Sequence, residues 1–171
     1  MTVLVDWQIR AHCQESQMIW PFSEELLNPV SIDVVLGNHL MIEVMDNKDL
    51  IQIDISNRTE EDPYMLLPQE FCLAETMETF NLPSNISAQF VLKSSRAREG
   101  YENLLAGWCD AGWHGSKLTL ELVNARRHWS LPLYPNLKIG QMVFFQHAAP
   151  LRDYSKTGRY NNDATVMGSK G

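Results

Sequence analysis

The sequence predicts a mainly β single domain, a barrel or sandwich of short strands. Three observations carry this. Runs of β-branched and apolar residues at period two recur at near-regular spacing from Val30 onward. Pro, Gly and Asn turn signals separate them. Few helical stretches follow residue 30. A chain of 171 residues fits one domain and is long enough to bury a sizeable core.

The elements follow in order. The first thirty residues read as helical: Asp6 can cap a helix from Trp7 to about Glu15, with Ile9 and Cys13 four apart on one face. Pro21 and Pro29 bracket a turn region. SIDVVLGN, LMIEVM and LIQIDI then read as strands, followed by a polar loop from Asn57 to Pro63. The segment from Tyr64 to Pro83 carries turn signals at Pro68 and Pro83. FVLKSSRAREG, GSKLTLELVN and KIGQMVFF are strand candidates with a loop or short helix attached. The β domain with its N-terminal helix is expected over 1–150. The polar segment 151–171 has no core periodicity and is expected to be disordered or a lid that orders on a ligand.

Composition excludes several classes. The 44% hydrophobic and 20% charged shares are those of a globular domain, not a disordered chain. No apolar run approaches the roughly 20 residues of a membrane-spanning helix, and MTVLVDWQIR has no signal-peptide pattern, so a cytoplasmic protein is expected. Cys13, Cys72 and Cys109 are odd in number and form no C-x-x-C pair, which argues against a disulfide framework or zinc ribbon and suits a reducing compartment. The N-x-[ST] matches at Asn57 and Asn85 are then chance. A net charge of −7 disfavours nucleic acid as a partner.

Three segments could carry chemistry. Lys93, Arg96 and Arg98 fall within six residues, with Ser94, Ser95 and a helix-start signal among them. Hydroxyls, N–H groups and a guanidinium fork suit a phosphate chain, but a solvated basic turn with Ser94 as a helix cap has the same composition. In KLTLELVN, alternation puts Leu118, Leu120 and Leu122 on one face and Thr119, Glu121 and Val123 on the other. Glu121 between apolar neighbours is either a partly desolvated general base or a strand glutamate facing water. In AGWCDAGWHG, Asp110 lies between Trp108 and Trp113, fit to hold a sugar hydroxyl or to close a β-turn over buried aromatics. The five histidines form neither H-E-x-x-H nor a zinc-deaminase signature, and no G-x-S-x-G elbow or Walker loop occurs.

Taken in order, these segments resemble the dCTP deaminases of the trimeric dUTPase-like superfamily. The likeness spans NPVSIDVVLGN (Asn28 to Asn38) and the long block Tyr64 to Gly100, which ends in S-S-x-A-R-x-G. It continues through AGWCDAGWHG, LTLELVN, LKIGQMVFF and a terminal YSKTGRY. The resemblance implies a dUTPase-like distorted β-barrel or jelly-roll (β-clip) with a short N-terminal helix and a flexible C-terminal lid. It also implies a homotrimer with sites between subunits.

The resemblance also implies site roles. Lys93, Ser94, Ser95, Arg96, Ala97 and Arg98 would hold the triphosphate, with Ser94 and Arg98 as main contacts. Asp110 would bind the deoxyribose 3′-hydroxyl. Glu121 would be the catalytic carboxylate, with Thr119 and Leu120 lining the base pocket. Tyr154, Arg159 and Asp163 match lid positions, where Arg159 stands for the usual Lys and Asp163 for the usual Gln. Hydrolytic deamination of dCTP to dUTP and ammonia would then run without zinc, with Glu121 activating the water and Mg²⁺ riding on the triphosphate. dUTP is a further substrate candidate and dTTP an inhibitor candidate. A dUTP diphosphatase or bifunctional enzyme is the first rival, though a plain dUTPase would carry a Gly-rich C-terminal motif that this chain lacks. A non-catalytic nucleotide-sensing or protein-binding trimer is the second.

Overall fold

The computed structural model describes residues 1–171. The chain opens with β1 (Thr2–Val3), α1 (Asp6–Ser16), β2 (Ile19–Trp20), a 3₁₀ turn at Glu24–Leu26 and β3 (Leu27–Asn28). The long strands follow: β4 (Ser31–Val44), β5 (Asn47–Asp54), β6 (Tyr64–Leu66), β7 (Phe71–Asn81) and β8 (Ile86–Leu92). Next come α2 (Ser94–Glu99), β9 (Tyr101–Asn103), β10 (Trp108–Cys109), β11 (His114–Asn124), β12 (Leu131–Leu133), β13 (Lys138–Gln146) and α3 (Tyr154–Thr157).

Eleven strands form one antiparallel sheet along β10-β8-β13-β4-β7-β11-β9, with β1 on β13, β2 on β7, and β3 and β5 on β4. β6 and β12 pair separately. The sheet bends where registers shift, in β4 between Leu36 and Leu40 and in β11 between Lys117 and Thr119. Its inner face buries Val34, Leu36 and Leu40 of β4, Leu118, Leu120 and Leu122 of β11, and Ile139, Met142 and Phe144 of β13. Along β11 these positions alternate because side chains of a strand point to opposite faces at period two, while the irregularity between Lys138 and Gly140 puts Ile139 out of phase with Met142 and Phe144. The mainly β expectation holds.

Several local expectations change. SIDVVLGN and LMIEVM are one 14-residue strand, β4, not two. The first thirty residues are helical only over Asp6–Ser16 and the 3₁₀ turn; the rest is short strand and loop. Val5, not Asp6, occupies the N-cap position of α1, and its N–H is taken by the Gln8 side chain at 3.0 Å. Asp6 is the first helical residue, where its negative charge faces the positive helix end. Ile9 and Cys13 are the helix's buried pair, as their spacing predicts. No helix is long and apolar enough to cross a membrane.

Segment 151–171 lies along the sheet. Asp153 caps α3 by accepting from Ser155 N–H at 3.1 Å. Beyond it the Trp113 indole donates to Tyr160 O at 2.8 Å, and the N–H groups of Asn162 and Lys117 reach His114 O and Asp163 O at 3.0 and 2.9 Å. Val166 is the segment's one fully buried side chain. Hydrogen bonds rather than an apolar face hold this strap, which is why it shows no periodicity.

Candidate functional site

The site is built on the outer face of β11. Leu118, Leu120 and Leu122 point into the core, so Lys117, Thr119 and Glu121 point to the other side. There they line a cavity of about 920 Å³ with Leu73 and Phe71 of β7, Trp108 to Asp110, and tail residues Tyr154, Tyr160, Asp163 and Met167. Glu121 sits across from Leu73 and Thr119 across from Glu75. Glu121 is half-buried, its Oε2 is buried without a hydrogen-bond partner, and burial pushes its carboxyl above the ordinary Glu value. A carboxylate left unsatisfied in a cavity is poised to take a proton from a ligand or a water.

β10 supplies the next group. Glycine at 107 lets this strand lie against β8, where a Cβ would sit 2.7 Å from Phe90 O. Trp108 keeps half its surface exposed toward the cavity, and its indole N–H donates to Asp110 Oδ1 at 3.0 Å. Phe145 supports the indole, ring centroids 5.8 Å apart. Trp113, by contrast, is buried and stacked on Phe80 at 5.6 Å. Asp110 is exposed and lines both the main cavity and a smaller polar hollow of about 300 Å³ beside Arg152 and Asp153.

The basic segment lies elsewhere. None of Lys93 to Arg98 lines the cavity. Lys93 forms an ion pair with Asp33 at 2.6 Å and is the N-cap of α2, a position the sequence offers to Ser94. Arg96 pairs with Glu99 at 2.6 Å and donates to Lys138 O at 3.1 Å. Ser94, Ser95, Ala97 and Arg98 are exposed. Leu120 sits beside Glu121 in sequence, but its side chain is in the core.

Of the tail residues, Tyr154 and Asp163 line the cavity, while Arg159 is exposed and engaged only through its carbonyl, which accepts from Lys170 Nζ at 2.9 Å. Both Asp163 oxygens accept from Lys170 Nζ, at 2.7 and 2.8 Å, so a carboxylate where phosphates were expected is already paired. The charged lining is Lys48, Asp49, Asp110, Lys117, Glu121 and Asp163. Lys117 is held by Glu75 at 2.8 Å, so the cavity is acidic and has one uncommitted cation, Lys48.

Glu75 and Lys117 are absent from the residues the sequence singles out. Glu75 is fully buried on β7 and accepts from Lys117, His39 and Thr165 side chains. Burial pushes its carboxyl up, but these bonds outweigh it and hold it below the ordinary Glu value. The available signal is a carboxylate inside the apolar run FCLAETMETF, with Lys117 at period two from Thr119 and Glu121. No three His, Cys, Asp or Glu side chains converge as a metal-ligand group.

Residues 3–147 match the family described as dCTP deaminase-like. The chain is 38% identical over 172 residues to dCTP deaminase, dUMP-forming, of Methanospirillum hungatei JF-1, across 94% of this chain and 91% of that one. It is 38% identical over 162 residues to the protein of the same name from Methanoregula boonei, covering 90% and 87%. For the one from Mycobacterium marinum the figures are 34% over 160 residues, covering 86% and 82%. Among solved structures, the 2′-deoxycytidine 5′-triphosphate deaminase of Agrobacterium tumefaciens superposes with a TM-score of 0.67 at 19% identity. That match covers 83% of this chain but only 47% of that one, so the chain spans about half its length, and the likeness is one of fold.

Proposed function

The chain belongs to the dCTP deaminase family, and from that premise we propose that it hydrolyses dCTP to dUMP, ammonia and pyrophosphate. The sequence alone led to dUTP as the product. The relatives of 34–38% identity are named dCTP deaminase, dUMP-forming, which favours the bifunctional alternative. Two waters are consumed, one at cytosine C4 and one at the α–β phosphoanhydride.

The observation that carries the reading is Glu121, whose partnerless Oε2 and raised pKa fit a proton-transfer group. Its carboxylate removes a proton from water as the oxygen adds to C4. The carboxyl passes that proton to N3, and the carboxylate then carries the remaining C4–OH proton to the amino group, which leaves as ammonia as the C4 carbonyl forms. General acid–base catalysis of this kind contributes about 10²–10⁴-fold. The remaining acceleration comes from positioning in the cavity. Asp110 accepts from the deoxyribose 3′-hydroxyl, and Thr119 lies beside the base.

An acidic cavity cannot by itself hold a triphosphate. Arg98 and the hydroxyls of Ser94 and Ser95 are exposed and unspent in the same chain, and they supply the missing charge when α2 of another copy faces the cavity. This supports sites that lie between subunits, as in the homotrimer that the family resemblance implies. Mg²⁺ would be carried by the triphosphate oxygens, where it neutralises charge.

Incubation with dCTP and, separately, dUTP tests the proposal, with dUTP, dUMP, ammonia and pyrophosphate resolved. Ammonia and dUMP in equal amounts from dCTP are expected. Accumulating dUTP would restore the plain deaminase, and dUMP from dUTP alone would leave only a diphosphatase. Nucleotide binding without turnover would leave a sensing protein.

A further inference from the structure

Glu75 takes no part in the chemistry above, yet it is fully buried with both oxygens engaged. Oε1 accepts from Lys117 Nζ at 2.8 Å, His39 Nδ1 at 3.1 Å and the Asn38 N–H at 3.2 Å. Oε2 accepts from Thr165 Oγ1 at 2.9 Å and the Val166 N–H at 2.8 Å. The facing strand makes room for it: a Cβ on Gly37 would lie 2.6 Å from Glu75 Cγ.

One carboxylate therefore joins the β-sheet to residues 165–166 of the tail. The next residue continues the attachment, since the Met167 N–H reaches Thr119 Oγ1 at 3.3 Å. Met167, Gly168 and Ser169 line the cavity together with Thr119 and Glu121. A buried charge is costly unless its hydrogen bonds are satisfied, and two of the five partners here are tail groups. Releasing the tail would leave Oε2 unpaired, so the cost of that release opposes opening.

We propose that Glu75 is a positioning residue for the active site. It fastens residues 165–167 along β11 before any nucleotide arrives, so that Met167 and its neighbours are a standing wall of the cavity rather than a segment that orders with the ligand. The docking stands on the hydrogen bonds alone; only its consequence for turnover rests on the function proposed above. A variant with a loosened tail spends nucleotide binding energy on reordering it. That raises KM while leaving the saturated complex largely intact.

Hydrogen exchange on the nucleotide-free protein tests this. In the wild type the Val166 and Met167 amides should be protected. In Glu75→Gln they should exchange about tenfold faster or more, while Leu120 and Leu122 in β11 keep their protection. With dCTP, KM should rise by about five- to tenfold and by more than kcat falls. Thr165→Val removes one bond without touching the buried charge, and should move both readouts in the same direction by about threefold. It serves if Glu75→Gln does not fold. Unprotected Val166 and Met167 amides in the free wild type would overturn the proposal, as would protection unchanged in Thr165→Val and Glu75→Gln alike. Because exchange needs no substrate, failure of the functional reading would leave this result standing.

Discussion

The Trp108 indole N–H fixes one oxygen of Asp110, Oδ1, at 3.0 Å and leaves Oδ2 without a protein partner. The ring is itself steadied by Phe145. Trp108→Phe keeps an aromatic wall and removes only the donor. KM for dCTP should rise about three- to tenfold, the cost of one solvent-exposed hydrogen bond worth about 1 kcal/mol. The effect should vanish with 2′,3′-dideoxycytidine triphosphate, which lacks the 3′-hydroxyl that Asp110 is proposed to hold. An equal loss on both substrates would separate Asp110 from sugar recognition.

The cavity of one copy holds Glu121 but none of Lys93 to Arg98. Arg98→Ala and Glu121→Gln proteins should each be nearly inactive. Mixed and reassembled, some sites receive intact Arg98 from one chain and intact Glu121 from another. Activity should return to as much as about a quarter of the wild-type level for random equal mixing. A monomer by light scattering, or a mixture that stays inactive despite confirmed exchange of subunits, would place the site within one chain.

Burial raises the Glu121 pKa above the ordinary 4.5, and the base works only when ionised. Activity is therefore lost as pH falls through the raised value. The acid limb of kcat/KM should report an apparent pKa above 4.5 and drop about tenfold per pH unit below it. A profile flat down to pH 4.5 would exclude Glu121 as the titrating base.

Glu78 carries a separate prediction about stability. It is buried, both of its oxygens face the Val35 N–H at 3.1 and 3.2 Å, and burial pushes it up to about 7. A carboxyl raised in the folded state binds more protons there than in the unfolded chain between pH 4.5 and about 7. Stability therefore falls as pH rises through that window, by a contribution on the order of 3 kcal/mol. Denaturant unfolding at pH 5 and pH 8, at fixed protein concentration, should show this loss in the wild type. Glu78→Gln should lose most of the difference, and an unchanged pH dependence would assign it to other groups.

Strand alternation was readable wherever one face is buried, as at Leu118, Leu120 and Leu122, and it placed Glu121 on the open face. The continuity of β4 was not. Gly37 and Asn38 look like a break, and only the buried Glu75 opposite explains why a glycine is needed within a continuous strand. Glu75 itself gives no local signal of its partners, because Lys117 and Thr165 lie 42 and 90 residues away. The same holds for Asp163, whose charge reads as a liability until Lys170 is seen against it. The basic cluster at Lys93 to Arg98 was plain in the sequence. Its separation from the cavity depends on how the sheet curls, which no local pattern encodes.

The most direct test compares wild-type protein and Glu121→Gln with dCTP, counting ammonia and dUMP in the same samples while dCTP binding is measured separately. The Gln variant keeps the shape of the side chain and removes its proton chemistry. Its ammonia release should fall at least about 10²-fold, with dCTP affinity within about tenfold of wild type, because the lost interaction belongs to the transition state. Ammonia release above about a tenth of the wild-type rate, against that 10²-fold minimum, would contradict the assignment of Glu121 as the base of the deamination.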